Sequence, residues 1–220
     1  MILEIDNVEL YFKEKRILNG IYLKAETGKV TGILGSNGCG KSCLLKILFG
    51  DLISKYKLIR IDSKPVLKPL YQTKLAAYLP QHNFTPNRMK VKTAFKLFNV
   101  SWEEFITIFD AFSPLQNINF NKLSGGERRL LETYIILKSN HKIVLLDEPF
   151  SHLSPLYIDH IKALISKEKL KKTIVITDHM YRHIVEISDT IYLLKNGSTK
   201  LINNLKELED YKYLSIGALD

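Results

Sequence analysis

Four glycines closely precede Lys41 in the stretch GILGSNGCGKSCLLKIL, residues 32–48. Glycine lets successive backbone N–H groups turn toward a ligand, because no side chain stands in the way. The spacing also fits the pattern GxxxxGK[ST], in which backbone amides hold the α- and β-phosphates, the lysine reaches the β- and γ-phosphates, and the hydroxyl binds Mg²⁺. The candidate phosphate-binding residues are therefore Gly35, Ser36, Asn37, Gly38, Cys39, Gly40, Lys41, Ser42 and Cys43.

The segments on either side of this loop occur in the order that phosphate binding requires. Val30–Leu34 is a short apolar run that predicts a strand, and the residues after the loop have apolar side chains at helical spacing up to Gly50. An ordinary glycine turn between a strand and a helix is the alternative. The lysine, the serine and both flanking segments favour phosphate binding.

Two adjacent acids follow a second apolar run in IVLLDEP, residues 143–149. The pattern predicts a buried strand that ends at Asp147, at the edge where α/β sheets bind ligands. Asp147 is then placed to hold Mg²⁺, and Glu148 could orient or deprotonate a water that attacks the γ-phosphate. Alternatively, the two acids cap the next helix.

A third motif, LSGGERR at residues 123–129, lies between the first two. Ser124 is placed to cap a helix, while Gly125 and Gly126 leave its first amides uncovered, so the positive helix end can meet a γ-phosphate. These residues would also start a helix that needs no ligand. The motif resembles the signature motif of ABC-type ATPases, and its position between the other two matches that family.

The whole chain resembles an ABC transporter nucleotide-binding subunit, from residue 8 to about residue 200. The resemblance implies that Gln81 links Mg²⁺ and water to a helical subdomain, and that His179 is the switch histidine. It also implies that Phe12 stacks on the adenine, with Tyr11 as the alternative. Without the resemblance, His179 would be interpreted as a histidine with hydrogen-bond partners at a strand end, and Phe12 as an ordinary strand residue.

The sequence departs from the family pattern in two places. Ser154 stands where the family has an aspartate after the two acids, and serine can form hydrogen bonds but cannot supply that charge. About 40 residues separate Gln81 from the signature motif, somewhat fewer than is usual. The subdomain that faces the partner is therefore expected to be small.

The resemblance implies an ATPase that binds MgATP between two subunits and drives a separate integral-membrane permease. The implied catalytic residues are Glu148, His179 and Gln81. The implied metal ligands are Ser42, Gln81 and Asp147, and Ser124, Gly125 and Gly126 serve the nucleotide of the second subunit. The expected location is the cytoplasm, on the cytoplasmic face of the cell membrane.

The formal charge of +9 leaves open an alternative, a soluble ABC-type ATPase that acts on nucleic acid or ribosomes. Such proteins usually carry a second ATPase unit, long coiled coils or zinc modules. The interval from Lys41 to Ser124 contains neither heptads nor cysteine pairs. No nucleic-acid partner is therefore expected.

Length and composition predict a single domain over residues 1–220, because 220 residues with 45% hydrophobic side chains can bury a full core. No apolar run approaches the roughly 20 residues of a membrane span, and the first ten residues carry acids where a signal peptide is basic. Cys39 and Cys43 are interpreted as small packing residues in a reducing compartment. The lysine-rich run at 167–172 is interpreted as a solvated helix end.

The remaining pattern predicts an α/β fold with a P-loop NTPase core and a mostly parallel sheet. Alternation over residues 2–12 and 17–26 predicts an N-terminal antiparallel hairpin. Aromatic and aliphatic residues at helical spacing predict a small inserted α-helical subdomain at about 83–125, with Trp102, Phe105, Phe109 and Phe112 in its core. Strands alternating with helices in the second half of the chain imply parallel pairing.

Overall fold

The computed structural model describes residues 1–215 and 217–218, which form two sheets flanked by helices. The strands are β1 (Ile2–Phe12), β2 (Lys15–Glu26), β3 (Val30–Leu34), β4 (Tyr56–Ile61), β5 (Lys64–Pro65), β6 (Ala76–Leu79), β7 (Ile143–Asp147), β8 (Thr173–Thr177), β9 (Thr190–Lys195) and β10 (Ser198–Ile202). The α-helices are α1 (Lys41–Phe49), α2 (Val91–Leu97), α3 (Trp102–Ile108), α4 (Gly125–Lys138), α5 (Pro155–Glu168), α6 (Tyr181–Ile187) and α7 (Glu207–Asp210). No helix in the described ranges has both the length and the apolar composition needed to cross a membrane.

The N-terminal part of the chain forms an antiparallel sheet with the strand order β2-β1-β4-β5. Leu3 and Ile5 of β1 stand opposite Ala25 and Leu23 of β2, and all four side chains are buried. Alternate residues of each strand therefore face the core, as the period-2 pattern of the sequence predicted. The predicted hairpin is confirmed.

The larger sheet has the strand order β10-β9-β3-β8-β7-β6. Five of its strands are parallel, and β10 pairs antiparallel with β9 at one edge. Strands β3, β7 and β8 are buried along their whole length, because α4, α5 and α6 cover one face while α1 and the antiparallel sheet cover the other. The predicted α/β class with a mostly parallel core is confirmed.

The segment between β6 and β7 contains α2, α3 and an aromatic cluster. The ring of Phe105 lies 4.8 to 5.4 Å from five other aromatic rings, those of Phe95, Trp102, Phe109, Phe112 and Tyr134. The prediction that Trp102, Phe105, Phe109 and Phe112 are core residues is confirmed, since the side chains of all six aromatics are buried. Helix α3 ends at Ile108, and Asp110–Asn117 continues as 3₁₀ turns that include Pro114.

The interpretation of residues 167–172 as a solvated helix end is wrong at Lys172. Its side chain is buried, and its ammonium group donates to the carbonyl oxygen of Ser139 at 2.8 Å and lies 3.0 Å from the carboxylate of Glu168. These charge-assisted contacts offset the cost of removing the lysine from water. Composition could not reveal them, because Ser139 lies 33 residues away.

We propose that the chain folds as one domain with a helical subdomain at about 83–125, because the aromatic cluster is continuous with the core of the parallel sheet. Residues 216, 219 and 220 of the predicted domain, 1–220, lie outside the described residues. Phe105→Ala should then lower the free energy of unfolding by about 3 to 5 kcal/mol through cavity formation. Urea denaturation measures the change. Leu97→Ala is the control, since Leu97 is 66% exposed and its truncation should cost no more than about 0.5 kcal/mol. Two separate unfolding transitions would argue against a single domain.

Candidate nucleotide-binding site

A cleft of about 580 Å³ opens where the parallel strands end, and we call it the nucleotide cleft. Residues from six separate parts of the chain line it: Phe12, Ile17, Asn37, Gly38, Gly40, Lys41, Ser42, Cys43, Gln81, Glu148 and His179. Ten of the seventeen predicted site residues line the cleft itself. Its volume is in the range of small-molecule binding sites in proteins.

The loop between β3 and α1 adopts its shape through glycines with positive φ. Gly38 has φ +76° and Gly40 has φ +109°, conformations that residues with a Cβ rarely adopt. A Cβ on Gly40 would also lie 2.9 Å from a methyl carbon of Leu18. The backbone conformation therefore favours glycine at position 40, and the methyl group of Leu18 would have to shift to make room for a Cβ.

Lys41, the first residue of α1, spans this loop with its side chain. Its ammonium group donates to the carbonyl oxygens of Gly35 at 2.7 Å and Ser36 at 3.2 Å, and the residue is buried. Both acceptors are neutral, so the positive charge of Lys41 remains available to an anion in the cleft. Gly35 and Ser36, together with Cys39, form the far side of the loop and do not line the cleft in the described structure.

Asp147 ends β7 as a buried carboxylate held by two hydroxyl groups. Ser42 donates to one carboxylate oxygen at 3.1 Å, and Tyr78 donates to the other at 3.0 Å. Burial raises the pKa of the Asp147 carboxyl above its usual value, even though both hydrogen bonds oppose that rise. A carboxylate beside a serine hydroxyl fits the oxygen ligands that Mg²⁺ prefers, and a cation there would offset the buried charge. Tyr78 is not a predicted site residue, because in the sequence it is an ordinary residue of a short apolar strand.

Glu148 follows in a left-handed backbone conformation with φ +54°. Its amide donates to the carbonyl oxygen of Thr177 at 2.7 Å, and its carboxylate accepts from the hydroxyl of Ser151 at 3.3 Å. The Glu148 carboxylate also lies 3.6 Å from Nδ1 of His179. Glu148 and His179 thus face each other across one wall of the nucleotide cleft.

His179 follows β8 and is preceded by a fully buried acid, Asp178. The Asp178 carboxylate accepts from the backbone amides of Phe150 at 3.1 Å and Met180 at 2.9 Å, and it lies 3.4 Å from Nδ1 of His179. Burial raises the pKa of the Asp178 carboxyl. Asp178 therefore orients the turn that carries His179. This role was not predicted, although the sequence Thr-Asp-His at residues 177–179 places an acid next to the histidine.

Phe12 and Gln81 are two further residues that line the cleft. Phe12 ends β1 and is half exposed, as an aromatic platform for a ligand would be. Tyr11 is not among the described residues that line the cleft; its ring lies beside the ammonium group of Lys55, 5.5 Å away. Gln81 is exposed just after β6.

The signature motif starts α4 outside the nucleotide cleft. The Ser124 hydroxyl accepts from the amide of Glu127 at 3.2 Å, and the Glu127 carboxylate accepts from the amide of Ser124 at 2.7 Å, which completes a capping box. Gly125 is exposed, and no described atom lies within 4 Å of the position its Cβ would take. A Cβ on Gly126, in contrast, would lie 2.6 Å from the carbonyl oxygen of His152.

The loop after Glu148 leads from the cleft to the signature motif. His152 has φ +64°, and Ser154 stands exposed at the N-cap of α5, followed by Pro155 at the first helical position. The close approach of the His152 carbonyl to Gly126 fixes this loop against the start of α4. The structure thus brings the phosphate loop and the two acids together and leaves the signature glycines on a separate surface.

Known proteins match the chain over most of its length. The family model described as ABC transporter matches residues 18–151. A probable branched-chain amino acid transport ATP-binding protein, LivF, from Archaeoglobus fulgidus is 32% identical over 95% of the chain and 96% of its own length. The lipopolysaccharide export system ATP-binding protein LptB from Haemophilus influenzae is 27% identical over 91% of the chain and 89% of its own length.

A solved structure of the ATP binding subunit of an ABC transporter has the same fold. It covers 100% of this chain and 97% of its own, with a TM-score of 0.83 at 19% sequence identity. The resemblance found in the sequence motifs is confirmed by the family model and by the relatives. The chain therefore belongs to the ABC transporter family, as an ATP-binding subunit of the ABC ATPase type.

Proposed function

We propose that the chain hydrolyses ATP to ADP and phosphate as the ATPase subunit of an ABC transporter, with MgATP bound between two such subunits. One observation carries the proposal. The nucleotide cleft gathers the phosphate loop, Gln81, Glu148 and His179, while the capped start of α4 is exposed elsewhere on the chain. The chain thus carries two different half-sites for one nucleotide.

The phosphate loop and Phe12 would bind the nucleotide. The amides of residues 35–43 and the ammonium group of Lys41 face the phosphates, and Phe12 stacks on the adenine. Asp147, Ser42 and Gln81 would hold Mg²⁺, which neutralises charge on the phosphate oxygens when bound. The unneutralised charge of Lys41 and the buried carboxylate of Asp147 support these two assignments.

Glu148 and His179 would act on the γ-phosphate. The carboxylate of Glu148 accepts a hydrogen bond from a water molecule and takes its proton as the water oxygen bonds to phosphorus. The bond between the γ-phosphorus and the ADP oxygen breaks, and the proton passes to the released phosphate. His179, which lies 3.6 Å from the same carboxylate, donates a hydrogen bond to a γ-phosphate oxygen.

The second subunit would complete each site with the start of its α4. Free amides at a helix N-terminus carry partial positive charge and attract a γ-phosphate. ATP then closes the dimer, and hydrolysis releases it. Ser154 cannot supply the carboxylate that the family usually has in this loop, so communication between the two sites must use other contacts.

A groove between the parallel sheet and the helical segment is the proposed docking surface for the permease. It has a volume of about 610 Å³ and is lined mainly by apolar and aromatic side chains, among them Phe49, Tyr71, Tyr78, Phe84, Phe98 and Ile136. An apolar groove of this kind suits an amphipathic helix from a partner. The partner is then an integral-membrane permease, with this chain on the cytoplasmic face of the membrane.

Glu148→Gln keeps the shape and hydrogen bonding of the side chain but removes its basicity. ATP should still bind, while hydrolysis should fall by about 10² or more, and the variant should accumulate as an ATP-bound dimer. Phosphate release and size-exclusion chromatography with MgATP measure the two effects. Glu103→Gln, at an exposed position of α3, is the control and should behave as the wild type. Near wild-type turnover in Glu148→Gln would exclude Glu148 as the base.

Gly125→Asp tests the shared site, because Gly125 is exposed and has space for a side chain whereas Gly126 does not. A carboxylate in the first turn favours the isolated helix but repels a γ-phosphate, so turnover should drop by about 10-fold or more without loss of thermal stability. ATP binding to the isolated chain should not change, since the chain's own phosphate loop is untouched. Gly125→Asn, with the same shape and no charge, is the matched control. Full activity in Gly125→Asp would contradict a site formed by two subunits.

Tyr71→Glu tests the docking groove and separates the transporter from the nucleic-acid alternative. A tagged wild-type chain purified from detergent-solubilised membranes should bring a multi-spanning protein with it, identified by mass spectrometry. Tyr71→Glu should reduce that recovery by about tenfold or more, because a buried unpaired carboxylate is costly. Leu201→Glu is the control, since both residues are 46% exposed and Leu201 lies on β10. Recovery of nucleic acid instead of a membrane protein would favour the alternative, an ABC-type ATPase that acts on nucleic acid or ribosomes.

A further inference from the structure

Arg129 lies one turn inside α4, and its side chain reaches the ends of two strands of the parallel sheet. The residue is 3% exposed. Its guanidinium group donates to the carbonyl oxygen of Pro80 at 2.7 Å, to that of Glu148 at 2.9 and 3.2 Å, and to that of Asp147. One side chain therefore satisfies three backbone carbonyls that follow β6 or end β7.

Each of these carbonyls belongs to the backbone of a proposed catalytic or metal-binding residue or its neighbour. Pro80 immediately precedes Gln81, Glu148 lines the nucleotide cleft, and Asp147 accepts a hydrogen bond from Ser42 of the cleft lining. None of these contacts uses a side chain of the accepting residue. Arg129 therefore sets where the backbone places Gln81 and Glu148, and leaves their side chains free for a ligand.

The backbone of Glu148 needs such support. Its left-handed conformation is unfavourable for a residue with a Cβ. The amide of Glu148 donates to the carbonyl oxygen of Thr177, and its carbonyl oxygen accepts from Arg129 and, at 3.3 Å, from the amide of Ser151. Loss of the Arg129 contacts would leave the carbonyl with the longer Ser151 contact alone, so the carboxylate would be held less firmly relative to the cleft.

Arginine is suited to this position by shape and charge. Its planar group carries five donors in a fixed fork, whereas lysine has a single nitrogen that cannot reach three carbonyls in different directions. Burial lowers the pKa of Arg129, and nearby carboxylates oppose that change: Glu132, Asp147, Asp178 and Glu148. The cation also balances the negative charge collected at this edge of the sheet.

We propose that Arg129 is a positioning residue that ties Gln81 and Glu148 of this chain to its own signature helix. Engagement of the start of α4 by the nucleotide of the second subunit would then be transmitted to the catalytic residues of the first. The proposal rests on the proposed function, because it requires ATP hydrolysis in a site shared by two subunits. Arg129 would also couple the two nucleotide sites without the aspartate carboxylate that the family usually has at the position of Ser154.

Arg129→Lys tests the proposal by separating turnover from binding. Because misplacement by about 1 Å can cost 10²-fold, kcat for ATP should fall by about 10- to 100-fold. The KM for ATP and the rise in melting temperature caused by MgATP should stay near wild-type values, since the phosphate loop is unchanged. Arg129→Gln, which retains one donor group, serves as a second variant with the same expected split.

Arg128→Lys is the matched control, because Arg128 is equally buried but faces the helical segment. Its guanidinium donates to Asn87 at 2.7 Å, to Glu132 at 3.2 Å and to the backbone of Thr85. The kcat of Arg128→Lys should stay within about twofold of wild type, whatever its melting temperature. An equal loss of kcat in both arginine variants would mean a general loss of packing and would overturn the proposal.

The remaining outcomes are also decisive. A normal kcat in Arg129→Lys, or failure of both Arg129 variants to fold, would show that Arg129 has no positioning role separable from stability. Absence of ATPase activity in the wild-type chain would instead contradict the proposed function. Measuring the wild type first therefore distinguishes failure of the function from failure of this inference.

Discussion

The parallel pairing of β3, β8 and β7 is the constraint on which the site depends. In this register Thr177 stands opposite both Ile33 and Asp147, at the point where all three strands end. Its hydroxyl donates to the carbonyl oxygen of Ile33 at 2.9 Å, and its carbonyl accepts from the amide of Glu148 at 2.7 Å. Because parallel strands end at the same edge, the phosphate loop, the two acids and His179 must lie together.

Three charged side chains at this edge form their hydrogen bonds with neutral groups, and this prepares the cleft for ligands. Lys41 is bound by two carbonyls, Asp147 by two hydroxyls, and Asp178 by two amides. The Arg129 cation balances only part of the negative charge, and a ligand that supplies opposite charge relieves the remaining cost of burial. The structure thus keeps a cation available to phosphates and a carboxylate available to a metal, at some expense in folding stability.

The sequence predicted local structure well wherever one short segment contained the cause. The period-2 alternation of β1 and β2, the continuous apolar runs of β3, β7 and β8, and the Ser-Gly-Gly start of α4 each reflect such a cause. Prediction from the sequence failed where the contact partner of a residue is distant along the chain. The lysines around Lys172 indicate a solvated side chain, and the roles of Tyr78 and Arg129 depend on groups between 18 and 69 residues away.

The sequence by itself determined the motifs, their order and the class of fold, because each motif is a short run whose residue types and spacing carry their own chemistry. Tertiary structure alone decided which motifs share a surface: Phe12, Gln81 and Glu148 meet in one cleft, and Gly125 does not. It also decided that the backbone of His152 leaves no space for a side chain at Gly126, whereas Gly125 has such space. The physical reason is that such contacts arise from strand register and helix packing, which join residues that no local pattern connects.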